Sequence, residues 1–256
     1  MPNNISSTGY RAGNKPLSAR SMLLSLVLGA HPEGLSPAKL VAAGEYFEVS
    51  SSTTRAALAR AVQSGDLRRA GRDYVLGDAL LRRQRRQNEA MAVAEVPWNG
   101  DWEVAVIVET GRSASARAAL RDELRAYRLA ELREGVWMRP ANLSRLANYR
   151  SNPVISTFRA KPDEDAGELA DKLWNLGTWG EGGRNIVDAL RKADSRPAHR
   201  LAIAAHLVRH LTEDPILPTA LLPPGWPGDS LRTAYAQYQH ELRLVSDIMG
   251  SPAESS

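Results

Sequence analysis

The stretch Ser50–Leu76, SSSTTRAALARAVQSGDLRRAGRDYVL, constrains this chain more than any other. A hydroxyl cluster opens a short helix, because Ser and Thr side chains satisfy the free N–H groups of a first turn. Gly65 closes that helix, and a basic strand pair follows at once. A helix-turn-helix with a β-hairpin wing needs this order: one helix for a DNA groove, one strand pair for the backbone beside it. Between Ser50 and Arg86, nine arginines (55, 60, 68, 69, 72, 82, 83, 85 and 86) stand against Asp66, Asp73 and Asp78, a net of +6. Phosphate neutralisation is the largest sequence-independent contribution to DNA affinity, so a local excess of this size points to a polyanion.

The segments before it complete a three-helix head. Leu17–Gly29 reads as a helix capped by Ser18, with Met22, Leu23, Leu26 and Val27 on one face. Ser36-Pro37 opens a second helix, which Gly44 is expected to end. On the third, Thr54, Leu58, Ala61 and Val62 make the expected buried side. Ser52, Ala56, Ala59 and Gln63 lie opposite, flanked by Arg55 and Arg60. Small outward side chains let a helix approach groove walls closely, and two marginal arginines reach phosphates or guanine edges. A surface helix with two solvated arginines has the same pattern; the adjoining basic hairpin tips the reading to DNA. The expected contacts are Arg55 and Arg60, then Ser51, Ser52, Thr53, Arg68, Arg69 and Arg72.

Charge is uneven along the chain. Residues 1–97 carry a net of +5 and residues 98–256 a net of −1. A membrane surface would also attract a basic helix, but 52–63 has no Trp or Phe to insert. The chain has no cysteine, which removes disulfides, thiolate zinc sites and cysteine nucleophiles. Arg11, Lys15 and Arg20 before Met22–Leu28 imitate a secretory signal. Ser21 and Ser25 interrupt that run, and His31-Pro32-Glu33 follows instead of a small-x-small cleavage pattern. The chain is therefore expected in the cytoplasm, with no membrane span.

The organisation expected is α+β. It comprises a disordered segment 1–16, a winged helix-turn-helix domain 17–79, a linker helix 80–97, a ferredoxin-like domain 98–178, a mainly helical domain 179–250 and a loose tail 251–256. In the central part, strands are expected at Trp102–Val108, Gly135–Arg139 and Val154–Phe158, with helices at Ala114–Leu129 and Gly167–Leu176. Helices then follow at Asn185–Ala193, Pro197–Leu211 and Ser230–Met249.

Three segments resemble the PaaX family of bacterial repressors. The first is Arg55–Val62 with Gly65 and Leu67. The second is Trp98-Asn99-Gly100-Asp101-Trp102, Leu120–Leu124 and Gly135-Val136-Trp137-Met138-Arg139-Pro140. The third, and most specific, is Asp214-Pro215-Ile216-Leu217-Pro218 with Leu221–Gly228. Ala61, Asp66 and a short hairpin tip depart from the family pattern. The resemblance implies a homodimer on a palindromic operator, repressing a catabolic operon and released by an aryl- or acyl-CoA thioester.

Such an effector needs cations for its phosphates and apolar walls for its acyl group. Trp174, Trp179, Arg184 and Arg209 are the expected contacts, although Trp174 also reads as core beside Leu169, Leu173 and Leu176. The competing function is a metal-dependent nuclease, because the central fold resembles the small ferredoxin-like CRISPR nucleases, which place a metal-binding Asp at the end of the first strand. Here Glu109 stands there alone, and phosphodiester chemistry wants several converging carboxylates. His206 and His210 have two-ligand spacing but no Glu in an HExxH arrangement. Gly180–Gly183 is a weak phosphate-loop candidate. No enzyme activity, metal or cofactor is expected.

Overall fold

The computed structural model describes residues 18–78, 80–81, 94–193 and 196–248. The expected disordered segment 1–16, the tail 251–256 and, from the linker, Arg82, Arg83, Arg85 and Arg86 lie outside the described residues. The protein is mixed helix and sheet, in the α+β class. It divides into two compact units: one gathers 1–86, 182–213 and 227–256, the other 87–181 and 214–226.

The first unit begins with α1 (Ala19–Gly29), α2 (Pro37–Tyr46) and α3 (Ser51–Gln63). Each opens on a serine whose hydroxyl accepts a first-turn N–H: Ser18 from Ser21, Ser36 from Lys39 and Ser50 from Thr53. Strands β1 (Leu67–Ala70) and β2 (Asp73–Leu76) form an antiparallel hairpin closed by Gly71-Arg72. Gly71 takes φ +63°, which a two-residue hairpin loop demands and glycine grants at least cost. Leu35 adds a third rung, donating to Tyr74 O at 3.0 Å and accepting from Tyr74 N at 2.8 Å.

Two expectations about this head are corrected. Gly44 lies inside α2 rather than ending it, because it faces Thr54 of α3: a Cβ there would sit 2.2 Å from Thr54 Oγ1. The buried side of α3 is Thr54, Ala57, Leu58 and Ala61, while Val62 is exposed. The core of the head also takes in residues far along the chain. Leu201 and Ala204 of α7 (Pro197–Thr212) and Tyr238 of α8 (Gly228–Ile248) join Met22, Leu23, Leu40, Phe47 and Leu58 in one buried cluster.

The second unit holds an antiparallel sheet of β4 (Trp102–Ile107), β5 (Ala130–Arg133), β6 (Val136–Pro140) and β8 (Ile155–Ala160), in the order β5-β6-β4-β8. A small pair, β3 (Ala94–Glu95) with β7 (Leu143–Ser144), lies beside it in sequence. Side chains alternate across the sheet. Trp102 and Met138 enter one core with Leu169, Leu176, Leu217 and Leu221; Ala105 and Trp137 enter the other with Leu120, Leu124 and Tyr149. Helix α4 (Ala114–Ala126) supplies Leu120 and Leu124, and α5 (Ala166–Trp174) supplies Leu169.

Strand β5 was not expected. Its sequence, Ala-Glu-Leu-Arg, favours helix, and only pairing with β6 makes it a strand. The strand order is that of a ferredoxin-like sheet, but a short 3-10 turn, Asn148–Ser151, stands between β6 and β8, and the second helix follows β8. Helix α6 (Leu176–Lys192) begins nine residues earlier than expected and absorbs Gly180–Gly183. That run is therefore not a phosphate loop. Its glycines serve close approach: a Cβ on Gly182 would lie 3.2 Å from His210, and one on Gly183 would lie 2.8 Å from Pro227.

Candidate nucleic-acid interface

Helix α3 presents an exposed strip of Ser52, Thr53, Arg55, Ala56, Ala59, Arg60 and Gln63. Its N-terminus is tightly organised. The Ser50 hydroxyl accepts from Thr53 N at 3.2 Å, donates to Thr53 Oγ1 at 2.8 Å and lies 3.1 Å from Ser52 Oγ. Arg55 Nη1 donates to Ser51 Oγ at 3.3 Å, and Arg60 Nε donates to Ala56 O at 3.3 Å. Both guanidiniums thus lie along their own helix, each with donors to spare, and among the described residues neither is tied to a carboxylate. The serine-capped positive end of the helix, the hydroxyls and the arginines together suit phosphate oxygens and base edges.

The hairpin carries the second cationic strip. Arg68, Arg69 and Arg72 are all exposed. Arg68 Nε is 3.5 Å from Asp78 Oδ1, an ion pair open to water on both sides. Arg69 lies over the Tyr74 ring at 5.6 Å, which fixes its stem to the strand. Arg72 occupies the loop tip and has no ionic or hydrogen-bond partner among the described residues.

Asp66, the acid in the turn between α3 and β1, is neutralised from α1. Arg20 Nε and Nη2 donate to its Oδ2 at 2.9 and 2.5 Å, and Ser64 Oγ also donates to that oxygen. The Ser64 and Arg20 bonds hold its carboxyl below the usual carboxylate range. Its charge therefore subtracts little from the arginine strips. Composition could not show this, since Arg20 is 46 residues upstream.

The four expected effector contacts are divided between the two units, Trp174 and Trp179 in the second and Arg184 and Arg209 in the first. Trp174 stacks on Trp102 at 6.4 Å between centroids, within the core of the second unit. Trp179 stacks on Trp226 at 4.3 Å. Arg184 and Arg209 are exposed and belong to the first unit. Glu109 is exposed beyond β4, and His206 and His210 lie on α7. Among the described residues, no three His, Asp or Glu side chains converge on a point.

Sequence reasoning missed the charges inside the sheet unit. Glu103 is 3% exposed and accepts from Tyr149 Oη at 2.7 Å, from Arg150 Nη2 at 3.0 Å and from both Nη atoms of Arg145 at 3.5 Å. Burial and the Glu103 contact push the Tyr149 phenol up to about 12. Arg139, opposite Glu103 in the β4–β6 register, is fully buried. Its Nη2 donates to Asn142 Oδ1 at 2.9 Å and to Ile216 O at 3.0 Å, so it ties the proline-rich turn to the sheet. Burial pulls its guanidinium down to about 9, still protonated at neutral pH. A charged residue at an inward strand position was the available signal.

Comparison with known proteins agrees with this architecture. Residues 95–169 match the family model described as PaaX protein central Cas2-like domain, and residues 178–249 match the PaaX-like protein C-terminal domain. A solved structure titled as an uncharacterized protein, Rv0674, from Mycobacterium tuberculosis is 40% identical, covering 91% of this chain and 99% of that one, with a TM-score of 0.81. Among curated proteins none matches. No helix of the described residues is long and apolar enough to cross a membrane.

Proposed function

The chain belongs to the PaaX-like family, and from that premise we propose that it is a DNA-binding transcriptional regulator acting in the cytoplasm. Family members are regulators rather than enzymes. In this reading α1–α3 with the hairpin form a winged helix-turn-helix, the sheet unit is a ferredoxin-like module, and two protomers bind a palindromic operator. Helix α3 enters the major groove and Arg68–Arg72 lie on the backbone. An aryl- or acyl-CoA thioester relieves repression by binding one dimer geometry better than the other. The observation that carries the proposal is the exposed Arg55–Arg60 strip on a serine-capped helix whose opposite face is fully packed.

The test is titration of the full chain with the duplex upstream of its own gene at several salt concentrations. Arg55→Ala and Arg60→Ala should each cost about 1–3 kcal/mol on the specific duplex and much less on a scrambled one. Wild-type affinity in both variants overturns the assignment of α3.

A further inference from the structure

The antiparallel sheet ends on one side at β8, which among the described residues pairs only with β4. The Val108 N–H donates to Val154 O at 3.0 Å, and that bond fixes the phase of the ladder. Ser156, Phe158 and Ala160 therefore bond inward to β4, while Thr157 and Arg159 aim their N–H and C=O groups outward. Among the described residues no backbone group meets those outward groups, and residues 157–161 are all exposed. Natural sheets protect such edges. The opposite edge, β5, is broken by an irregularity between Glu131 and Arg133, whereas β8 runs in regular register from Ile155 to Ala160.

Phe158 sets this edge apart. The chain has two phenylalanines; Phe47 is buried, and Phe158 is 56% exposed. Phe158 stands opposite Val104, on the face of the sheet that holds Trp102 and Met138. Arg159 stands on the other face. Arg159 and Lys161 both reach inboard to Asp101, at 3.9 and 3.8 Å, so no cation of the strand sits beside the ring.

We propose that two copies of this chain pair edge to edge through β8, antiparallel about a two-fold axis at Phe158. The demand for two protomers rests on the regulator reading; the edge and its register do not. With Phe158 opposite Phe158 of the second copy, Thr157 faces Arg159 of that copy and Arg159 faces its Thr157. Each of those pairs exchanges both backbone bonds. The two rings meet at a position without such bonds, where side chains approach most closely. Sliding the register one way sets Arg159 against Arg159, two like charges. Sliding it the other way sets Phe158 against Ser156 and Arg159 against Ile155, whose N–H is already given to Asn152 O at 3.0 Å. The two-fold axis uses the same patch on both copies, so the contact closes as a dimer.

The chain has no cysteine, so a single introduced thiol reports its own contacts. In the full chain, Phe158→Cys should form a disulfide-linked dimer on mild oxidation with diamide, because opposed Cβ atoms at that position come within disulfide reach. Ala160 is also exposed, but its copy would lie about 13 Å away along the strand, so Ala160→Cys should cross-link about 10-fold more slowly or less. Thr157→Pro removes an outward N–H and no bond to β4, which leaves the sheet intact. Each copy then loses one bond across the edge, and association should weaken about 10-fold in sedimentation equilibrium over about 1–200 μM. Equal cross-linking at the two positions, or unchanged association of Thr157→Pro, overturns the edge, and a protein that still dimerises then does so through another surface. A monomer at every concentration overturns it as well. A dimer that cross-links as expected but binds no duplex sinks the regulator reading and leaves the edge standing.

Discussion

Replacing Gly44 by Ala tests the packing that presents α3. In a helix interior this change ordinarily stabilises by about 1 kcal/mol through propensity alone. Here the new Cβ would sit 2.2 Å from Thr54 Oγ1 and 3.2 Å from both Thr54 Cβ and Cγ2. Thr54 is fully buried and cannot swing into solvent. Forcing a methyl into such a contact costs about 1–3 kcal/mol or more, so the clash outweighs propensity and the variant should lose about 1–2 kcal/mol. Thr54→Ala removes the nearest atom and also an unpartnered buried hydroxyl, which offsets part of its lost packing. The double variant should then recover most of the Gly44→Ala loss, with a coupling of about 1–2 kcal/mol in a double-mutant cycle by urea unfolding. Strict additivity, or a Gly44→Ala protein more stable than wild type, refutes this account of the α2–α3 contact.

Other consequences are separately measurable. Arg72→Ala and Arg69→Ala should weaken binding to every duplex alike and lower the slope of log affinity against log salt by about 1 each, read by fluorescence anisotropy. Asp66 titrates below the ordinary carboxylate value of 3.8 in the folded protein, so its contribution is complete above that pH and fades as pH falls through the folded pKa. Wild type should therefore melt above Asp66→Asn at pH 7, with the gap closing below about pH 4. Glu103→Gln leaves the buried Arg145 guanidinium without its counter-charge and should cost about 3–5 kcal/mol, seen as a lower midpoint in chemical denaturation.

Much of the head was legible because its signals are local. Ser18, Ser36 and Ser50 mark helix starts through bonds spanning three residues, and Gly71 marks a turn through its own φ. The sheet unit was legible only where strands carry β-branched residues, as in Trp102–Ile107. Ala130–Arg133 stayed hidden because its partner, not its composition, makes it a strand. Glycine misled twice. Gly44 reads as a helix end and Gly180–Gly183 as a phosphate-loop candidate, yet Gly44, Gly182 and Gly183 each sit in a helix where a neighbouring element comes too close for a Cβ.

The amino-acid order by itself determined the capped helices, the basic hairpin and the family motifs, since each depends on residues within a few positions of one another. Tertiary structure alone decided that Arg20 silences Asp66, that Glu103 and Arg139 are buried charges, and that Tyr238 shares a core with the first three helices. Those outcomes hang on partners tens to hundreds of residues away. Burial, and with it the energy of a charge or hydroxyl, is a property of the packed neighbourhood and is not written in any single segment.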